Sequence, residues 1–281
     1  MSIMMKDIAV LFDASPEGQH LLNIAVELAE TLHSHIIAIT AQPHVPTHPH
    51  EAFAVGAALS EVIARQRSAL VASSLEMSEK LNEALLRSSA SGELRIISNA
   101  ESSSESSLHA LYCDLLVIGH PDIPGTPLMW STHQILRQTG TPILVVPRTW
   151  QKTSIGENVL VAWNGSRQAR RAIADALPIL ANAREVTLLV VDPEQKADVH
   201  GDQPGADMAA YLVRHHVKVN LVVTTSKGHT VADVIINRAR FSQCDLLVFG
   251  AYSRLRASEV LFGGVTRTLL MEVPMPLLVS Q

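Results

Sequence analysis

A heptapeptide that occurs twice limits this chain more than any other feature of it. Cys113-Asp114-Leu115-Leu116-Val117-Ile118-Gly119 returns 131 residues later as Cys244-Asp245-Leu246-Leu247-Val248-Phe249-Gly250, with six of seven residues identical. Each copy is followed by a proline and an apolar run, Pro142-Ile143-Leu144-Val145-Val146 in one and Pro276-Leu277-Leu278-Val279 in the other. Each is preceded by an apolar run that ends in a polar turn, Val10-Leu11-Phe12-Asp13-Ala14-Ser15 and Val161-Ala162-Trp163-Asn164-Gly165-Ser166. A period this long exceeds any solenoid unit, so it indicates duplication of a whole domain. The 281 residues suffice for two such units. The boundaries follow as 1–148 and 158–281, joined by a polar linker without apolar periodicity.

Within each half, short β-branched runs alternate with helical patterns, the signature of a parallel sheet covered on both faces. In the first half Ser15 can cap a helix that has Pro16 at its first position, with Leu22, Ala25, Ala29 and Leu32 on one face. Strands are predicted at 35–40, 94–98, 114–118 and 142–146, and a long helix at 59–86 with Ile63, Leu70, Met77, Leu81 and Leu85 near one face. A Ser-capped helix ending near Tyr112 and a short helix before Pro142 complete this half. The second half repeats the order, with strands at 159–163, 186–191, 219–224, 245–249 and 277–280. Helices are predicted there at 167–182, 206–217, 231–242 and 264–272, and Pro178 predicts a kink or early stop in the first of these. The fold class is therefore α/β: two tandem, doubly wound, parallel five-stranded sheets flanked by helices. The runs at 142–146 and 276–279 are short, apolar and terminal in their halves, so they are expected as sheet edges that need pairing or cover.

Composition removes several classes of function. Lys and Arg total 22 against 27 Asp and Glu, a formal charge of −5, so the chain lacks the basic field that neutralises phosphate backbones. Nucleic acid is not an expected partner. No run approaches the roughly 18 consecutive apolar residues that span a bilayer, and the N-terminus leads straight into an apolar strand. A soluble protein of the cytoplasm is expected, without membrane partners. Cys113 and Cys244 fit a reducing compartment and supply neither a metal nor a redox motif. They precede buried strands, so packing explains them.

Open parallel sheets bind ligands beyond the carboxyl ends of their strands, where the strand order reverses. Those ends carry Asp13, Asn164, Gly119 and Gly250. After Gly250, Gly263-Gly264 lets the backbone approach a ligand closely, and a helix begins at once. Free N–H groups and the positive end of the helix dipole would then face an anion, with a hydroxyl from Thr266 and charge from Arg254, Arg256 and Arg267. In chemical terms this is a phosphate cradle.

The strand and Asp/Asn-x-Ser opening, the Cys-Asp-Leu-Leu-Val strand, the Gly-Ala-Tyr-Ser-Arg-Leu-Arg…Phe-Gly-Gly-Val-Thr-Arg loop and the closing Pro-Leu-Leu-Val strand together resemble the universal stress protein family. The likeness spans both halves and implies a tandem member of Rossmann-like, adenine nucleotide alpha-hydrolase-like architecture. It also implies that the two closing strands lie against each other across a pseudo-two-fold, so that one chain imitates the dimer of single-domain members. In the ATP-binding branch the loop reads Gly, two residues, Gly, nine residues, Gly, then Ser or Thr. Gly250 and Gly263 match at the right spacing, whereas Ser253 stands for the second Gly and Gly264 for the Ser/Thr. By this resemblance Ala162, Trp163 and Asn164 would line the adenosine side and Val190 would touch the base. Gly263, Gly264, Val265 and Thr266 would hold the phosphates of ATP, with Mg²⁺. Asn164 stands where the family usually has Asp, which keeps a ribose hydrogen bond without the charge. In the first half the corresponding loop is three residues shorter, and Met129-Trp130 falls in the place of Gly263-Gly264. An indole there obstructs the cradle, so the first half is expected to be degenerate, serving packing or another ligand.

The resemblance implies a stress-response regulator that binds ATP in its second half and is read by a protein partner. Its alternative is an interaction protein of the same family that binds no nucleotide, which Ser253 and Gly264 favour. A slow ATPase is the least favoured reading, because no general base stands beside the cradle and the P-loop lysine signature is absent. No catalytic residue is assigned. The chain is expected as a monomer with an internal pseudo-dimer or as a homodimer. The thirteen histidines, several of them at 33–50, lack carboxylate and cysteine spacing for a metal motif, and no metal is expected. The serine run at 102–107 is read first as a helix cap.

Overall fold

The computed structural model describes residues 4–42, 57–98, 109–121, 132, 135–136, 139–196, 202–251 and 264–281. The first half contributes β1 (Asp7–Leu11), α1 (Pro16–Leu32), β2 (His35–Gln42), α2 (Ala57–Leu85), β3 (Ser91–Ser98), β4 (Leu115–His120) and β5 (Ile143–Pro147). The second contributes β6 (Asn158–Trp163), α3 (Arg167–Asn182), β7 (Glu185–Val191), α4 (Ala206–Arg214), β8 (Val219–Thr224), α5 (Val231–Phe241), β9 (Leu246–Gly250), α6 (Gly264–Glu272) and β10 (Leu277–Ser280).

Among the described residues the strands form one ten-stranded sheet in the order β3-β2-β1-β4-β5-β10-β9-β6-β7-β8. The order is the same in each half, counted outward from the middle, and β1/β4 and β6/β9 mark the two places where it reverses. All pairings are parallel except β5 with β10, where Leu144 faces Leu278 in antiparallel register. The two closing strands are thus joined to each other, and β3 and β8 are the edges of the sheet.

Parallel strands covered on both faces are expected to be apolar throughout. Indeed β4, β5, β9 and β10 are almost wholly buried. One face packs under α1, α3 and the end of α2, with Val10, Leu144, Val161, Leu188 and Leu278. The other carries Leu116, Val145, Leu160, Leu189 and Leu277 beneath Ile235 of α5 and Leu269 of α6. The helices start where their caps place them. Ser15 Oγ accepts from Gly18 N at 3.0 Å, and Ser166 Oγ from Ala169 N at 3.1 Å.

The repeated Cys-Asp pair has a structural task that its spacing alone does not reveal. Asp114 Oδ2 accepts from the amides of Lys6 (2.6 Å) and Asp7 (3.1 Å), tying the start of β4 to the start of β1. Asp245 accepts from Gly156 (3.1 Å), Glu157 (2.9 Å) and Asn158 (3.1 Å), tying β9 to β6 in the same way. Each clasp sits at the amino end of the two strands that flank a reversal, opposite the end where ligands bind.

Three expectations are revised. Pro178 neither stops α3 nor removes its last turn, because Ile179 and Leu180 beyond it are 3% and 0% exposed. Burying two such side chains stabilises by roughly 1.5–3 kcal/mol each, enough to offset a proline penalty of about 3 kcal/mol. The helix predicted at 206–217 ends at Arg214, where His215 caps it and His216 turns the chain at φ 63°. Among the described side chains of α2 the buried ones lie in its C-terminal turns, Met77, Leu81 and Ala84, while Val62, Val71 and Leu75 are about half exposed or more.

Candidate functional site

Parallel pairing brings the carboxyl ends of β6, β7 and β9 to one end of the sheet, with Trp163 beside Val190 and Val161 beside Val248. After β6 the chain turns sharply. Asn164 Oδ1 accepts from Ser166 N at 3.1 Å and Gly165 takes φ 70°. The first half builds the same turn with Asp13, whose Oδ1 accepts from both Ser15 N (3.0 Å) and the Ser15 hydroxyl. The Asp/Asn position therefore shapes the turn in both halves, whatever else it meets.

Strand alternation sorts the remaining wall residues. Ala162, Val191 and Val265 lie against the face covered by α5 and α6. Trp163 packs against the opposite face. Val190 is 0% exposed, and a Cβ added to Gly205 ahead of α4 would come 2.9 Å from its Cγ2. Val190 is therefore sealed beneath the start of α4, and Val191, one residue on, is the aliphatic residue that shares a side with Ala162 and α6. A one-residue step in a strand changes the face, so Val190 and Val191 lie on opposite sides of the sheet.

Gly250 ends β9 with no room for a side chain. An added Cβ would stand 2.2 Å from Gln168 C and 2.3 Å from Ala169 N, so α3 begins directly on this glycine. Gly264 is the reverse case. It opens α6 with no atom of the described residues within 4 Å of an added Cβ, and it is exposed, whereas Val265 is half-buried and Thr266 is 6% exposed. The first N–H groups of a helix have no partner inside it, so the positive end of α6 lies at Gly264. Ser253 and Gly263 lie outside the described residues, as do Met129, Trp130, the 44–50 segment and the 102–107 serine run. Asp192, 8% exposed, was not singled out by sequence. It accepts from Ser226 N at 2.6 Å and so fixes the loop that follows β8 beside the end of β7.

The thiols are not part of this chemistry. Burial pushes Cys113 up to about 12 and Cys244 up to about 11. The thiolate is the reactive form, so both are expected to resist iodoacetamide at pH 8 in the folded chain and to react fully in urea. Mass spectrometry of alkylated protein with and without denaturant checks this; rapid native labelling of either cysteine contradicts it. Among the described residues no helix is long and apolar enough to cross a membrane.

Comparison with known proteins agrees with this architecture. A universal stress protein from Archaeoglobus fulgidus DSM 4304 superposes with a TM-score of 0.67 at 12% identity, covering 98% of each chain. A functionally unknown protein from Pseudomonas aeruginosa PAO1 superposes with a TM-score of 0.56 at 16% identity, covering 98% of this chain and 92% of its own. At such identities the likeness is one of fold. No curated protein sequence matches the chain. Residues 156–281, the stretch that holds β6 to β10 and the turn, strand ends and helix start described above, match the model of the Universal stress protein family.

Proposed function

We propose that the chain is a tandem universal stress protein, with units at 1–148 and 158–281, that serves as a stress-response regulator. In this reading the second unit binds an adenine nucleotide, ATP with Mg²⁺, and the bound form is read by a protein partner. The observation that carries the reading is the family match over 156–281, the half in which α6 begins at Gly264 with none of the described residues within 4 Å of an added Cβ. The phosphates would meet the first turn of α6, with Gly263 before it and Val265 and Thr266 within it. The adenosine would lie along Ala162, Asn164 and Val191, with Trp163 and Val190 as the layer behind. Gly250 would set the height of the cleft by seating α3, and Ser253 would stand in the loop between. Binding shifts a conformational equilibrium by linkage, about 2.7 kcal/mol at a hundredfold excess over Kd, which a partner can read without catalysis.

Native mass spectrometry of the purified chain, followed by calorimetric titration with ATP and Mg²⁺, tests this. One nucleotide per chain is expected. The substitution Gly264→Asp is expected to leave stability unchanged or slightly improved, since none of the described residues stands within 4 Å of an added Cβ and an acidic residue suits a helix start. The same carboxylate would oppose a phosphate and weaken ATP by roughly a hundredfold, as expected for like charges brought together. No adduct and no heat with ATP, ADP or AMP would overturn the nucleotide reading. The departures at Ser253 and Gly264 would then mark an interaction protein of the same fold.

A further inference from the structure

We propose that β3, the outer edge of the first half, pairs with β3 of a second copy of the chain, antiparallel and across a two-fold axis at Leu94. Among the described residues β3 is joined to β2 alone, along all eight of its positions, and its other side carries backbone N–H and C=O groups with no strand beside them. A long unpaired edge is a template for another strand. The chain already joins its own halves in this way, since β5 and β10 meet antiparallel. This edge belongs to the first half and is independent of the nucleotide reading.

The residues of β3 select a second copy as the occupant. A lone charge on an edge strand meets its own kind when the strand pairs with itself, which keeps many edges apart. Here Glu93 and Arg95 flank Leu94 on one face of the strand. With Leu94 opposite Leu94, each Glu93 stands opposite the Arg95 of the other copy, so the strand is complementary to itself in charge. Moving the axis by one residue either way sets Glu93 against Glu93 or Arg95 against Arg95, and this fixes the register. Within one chain Arg95 Nη2 lies 2.5 Å from Glu93 Oε1, with the side chains 29% and 48% exposed, so both can reach a neighbouring strand. In the same register Ile96, 47% exposed, faces Gly92. Gly92 leaves a place there beside Leu85, whose Cδ1 would be 3.2 Å from an added Cβ.

The helix above this edge fits the same neighbour. Lys80 Nζ donates to Ala14 O at 3.2 Å, so that flank of α2 is turned towards α1. At about 100° per residue, Val71 and Leu75 fall on the other flank, towards the free edge. They are 61% and 60% exposed. Because α2 lies over β3 and β2, pairing the two β3 strands sets the two α2 helices side by side on one face of the joined sheet. Their separation is then about two strand spacings, roughly 10 Å, which is the distance of packed helices. Val71 and Leu75 of the two copies cover each other there. The opposite edge, β8 (Val219–Thr224), contains no charged residue and offers no such match.

The test uses the full chain without nucleotide and follows its mass by sedimentation equilibrium between roughly 1 and 100 µM. A reversible dimer is expected in that range, weaker at high salt because exposed charge pairs are screened. Arg95→Glu brings carboxylates together at both cross-strand pairs, and Glu93→Arg brings guanidinium groups together there. Each variant alone is expected to weaken the dimer by roughly thirtyfold, because two pairs change from attraction to repulsion. Mixed in equal amounts, the two variants restore opposite charges at both pairs, and association close to that of the wild type is expected. Urea unfolding of each variant checks that the fold is kept. A wild-type chain that stays monomeric at about 100 µM, a dimer that neither variant weakens, or a mixture that does not associate would each overturn the proposal.

Discussion

Asp245→Ala is expected to destabilise the chain by about 3 kcal/mol, measured by urea unfolding, and by clearly more than Asp114→Ala. Asp245 is 7% exposed and accepts from three successive backbone amides, Gly156, Glu157 and Asn158. Removing it leaves those donors facing an apolar hole, and hydrogen bonds to a charged group contribute about 1.5–3 kcal/mol each before partial compensation by water. Asp114 holds two amides in a more open setting, which water can reach when the carboxylate is gone. Equal losses in the two variants would contradict the unequal burial of the clasps. The pH dependence has a definite sign. Burial raises the Asp245 carboxyl above its ordinary 3.8, against the pull of the three amides. The folded chain therefore holds this proton more tightly than the unfolded chain does. Its contribution is fully present below pH 3.8 and declines as pH rises through the raised value, so the gap between wild type and Asp245→Ala should narrow from pH 4 towards pH 7.

Gly250→Val should be the most damaging single glycine change in the second half, with an expected loss of several kcal/mol, about 3–5, in the same assay. The first added carbon would stand 2.2 Å from a backbone carbon of Gln168, an atom that cannot rotate away. Relief requires lifting the start of α3 from the sheet, and with it Ala169, Ala172 and Ile173, which are all buried. Gly264→Ala supplies the control, since none of the described residues lies within 4 Å of its new methyl group. A change of more than about 1 kcal/mol there, or a mild effect at Gly250, would show that the packing described for β9 and α3 is wrong.

These two glycines show what sequence can and cannot carry. Both stand out in the sequence as members of one loop pattern, yet one lies directly against the start of a helix and the other has none of the described residues against it. The strands themselves were legible, because a parallel sheet buries its strands on both faces and leaves long apolar runs; the junction of β5 with β10 followed only from the family resemblance. The helix starts at Ser15 and Ser166 were legible for a local reason, the reach of a hydroxyl to an amide three residues on. What was not legible depends on distance or on single steps. Val190 and Val191 differ by one position and occupy opposite faces. The clasp by Asp245 joins residues almost ninety positions apart. Pro178 misleads for the opposite reason, since a local rule yields to the burial of Ile179 and Leu180.

The pairing of β5 with β10 has a thermodynamic consequence. When such an antiparallel seam is formed between separate molecules, its free energy depends on how much protein is present, and dilution dissolves it. Here Leu144 and Leu278 belong to the same molecule, so the seam forms at a fixed effective concentration set by the intervening chain. Dilution leaves it intact.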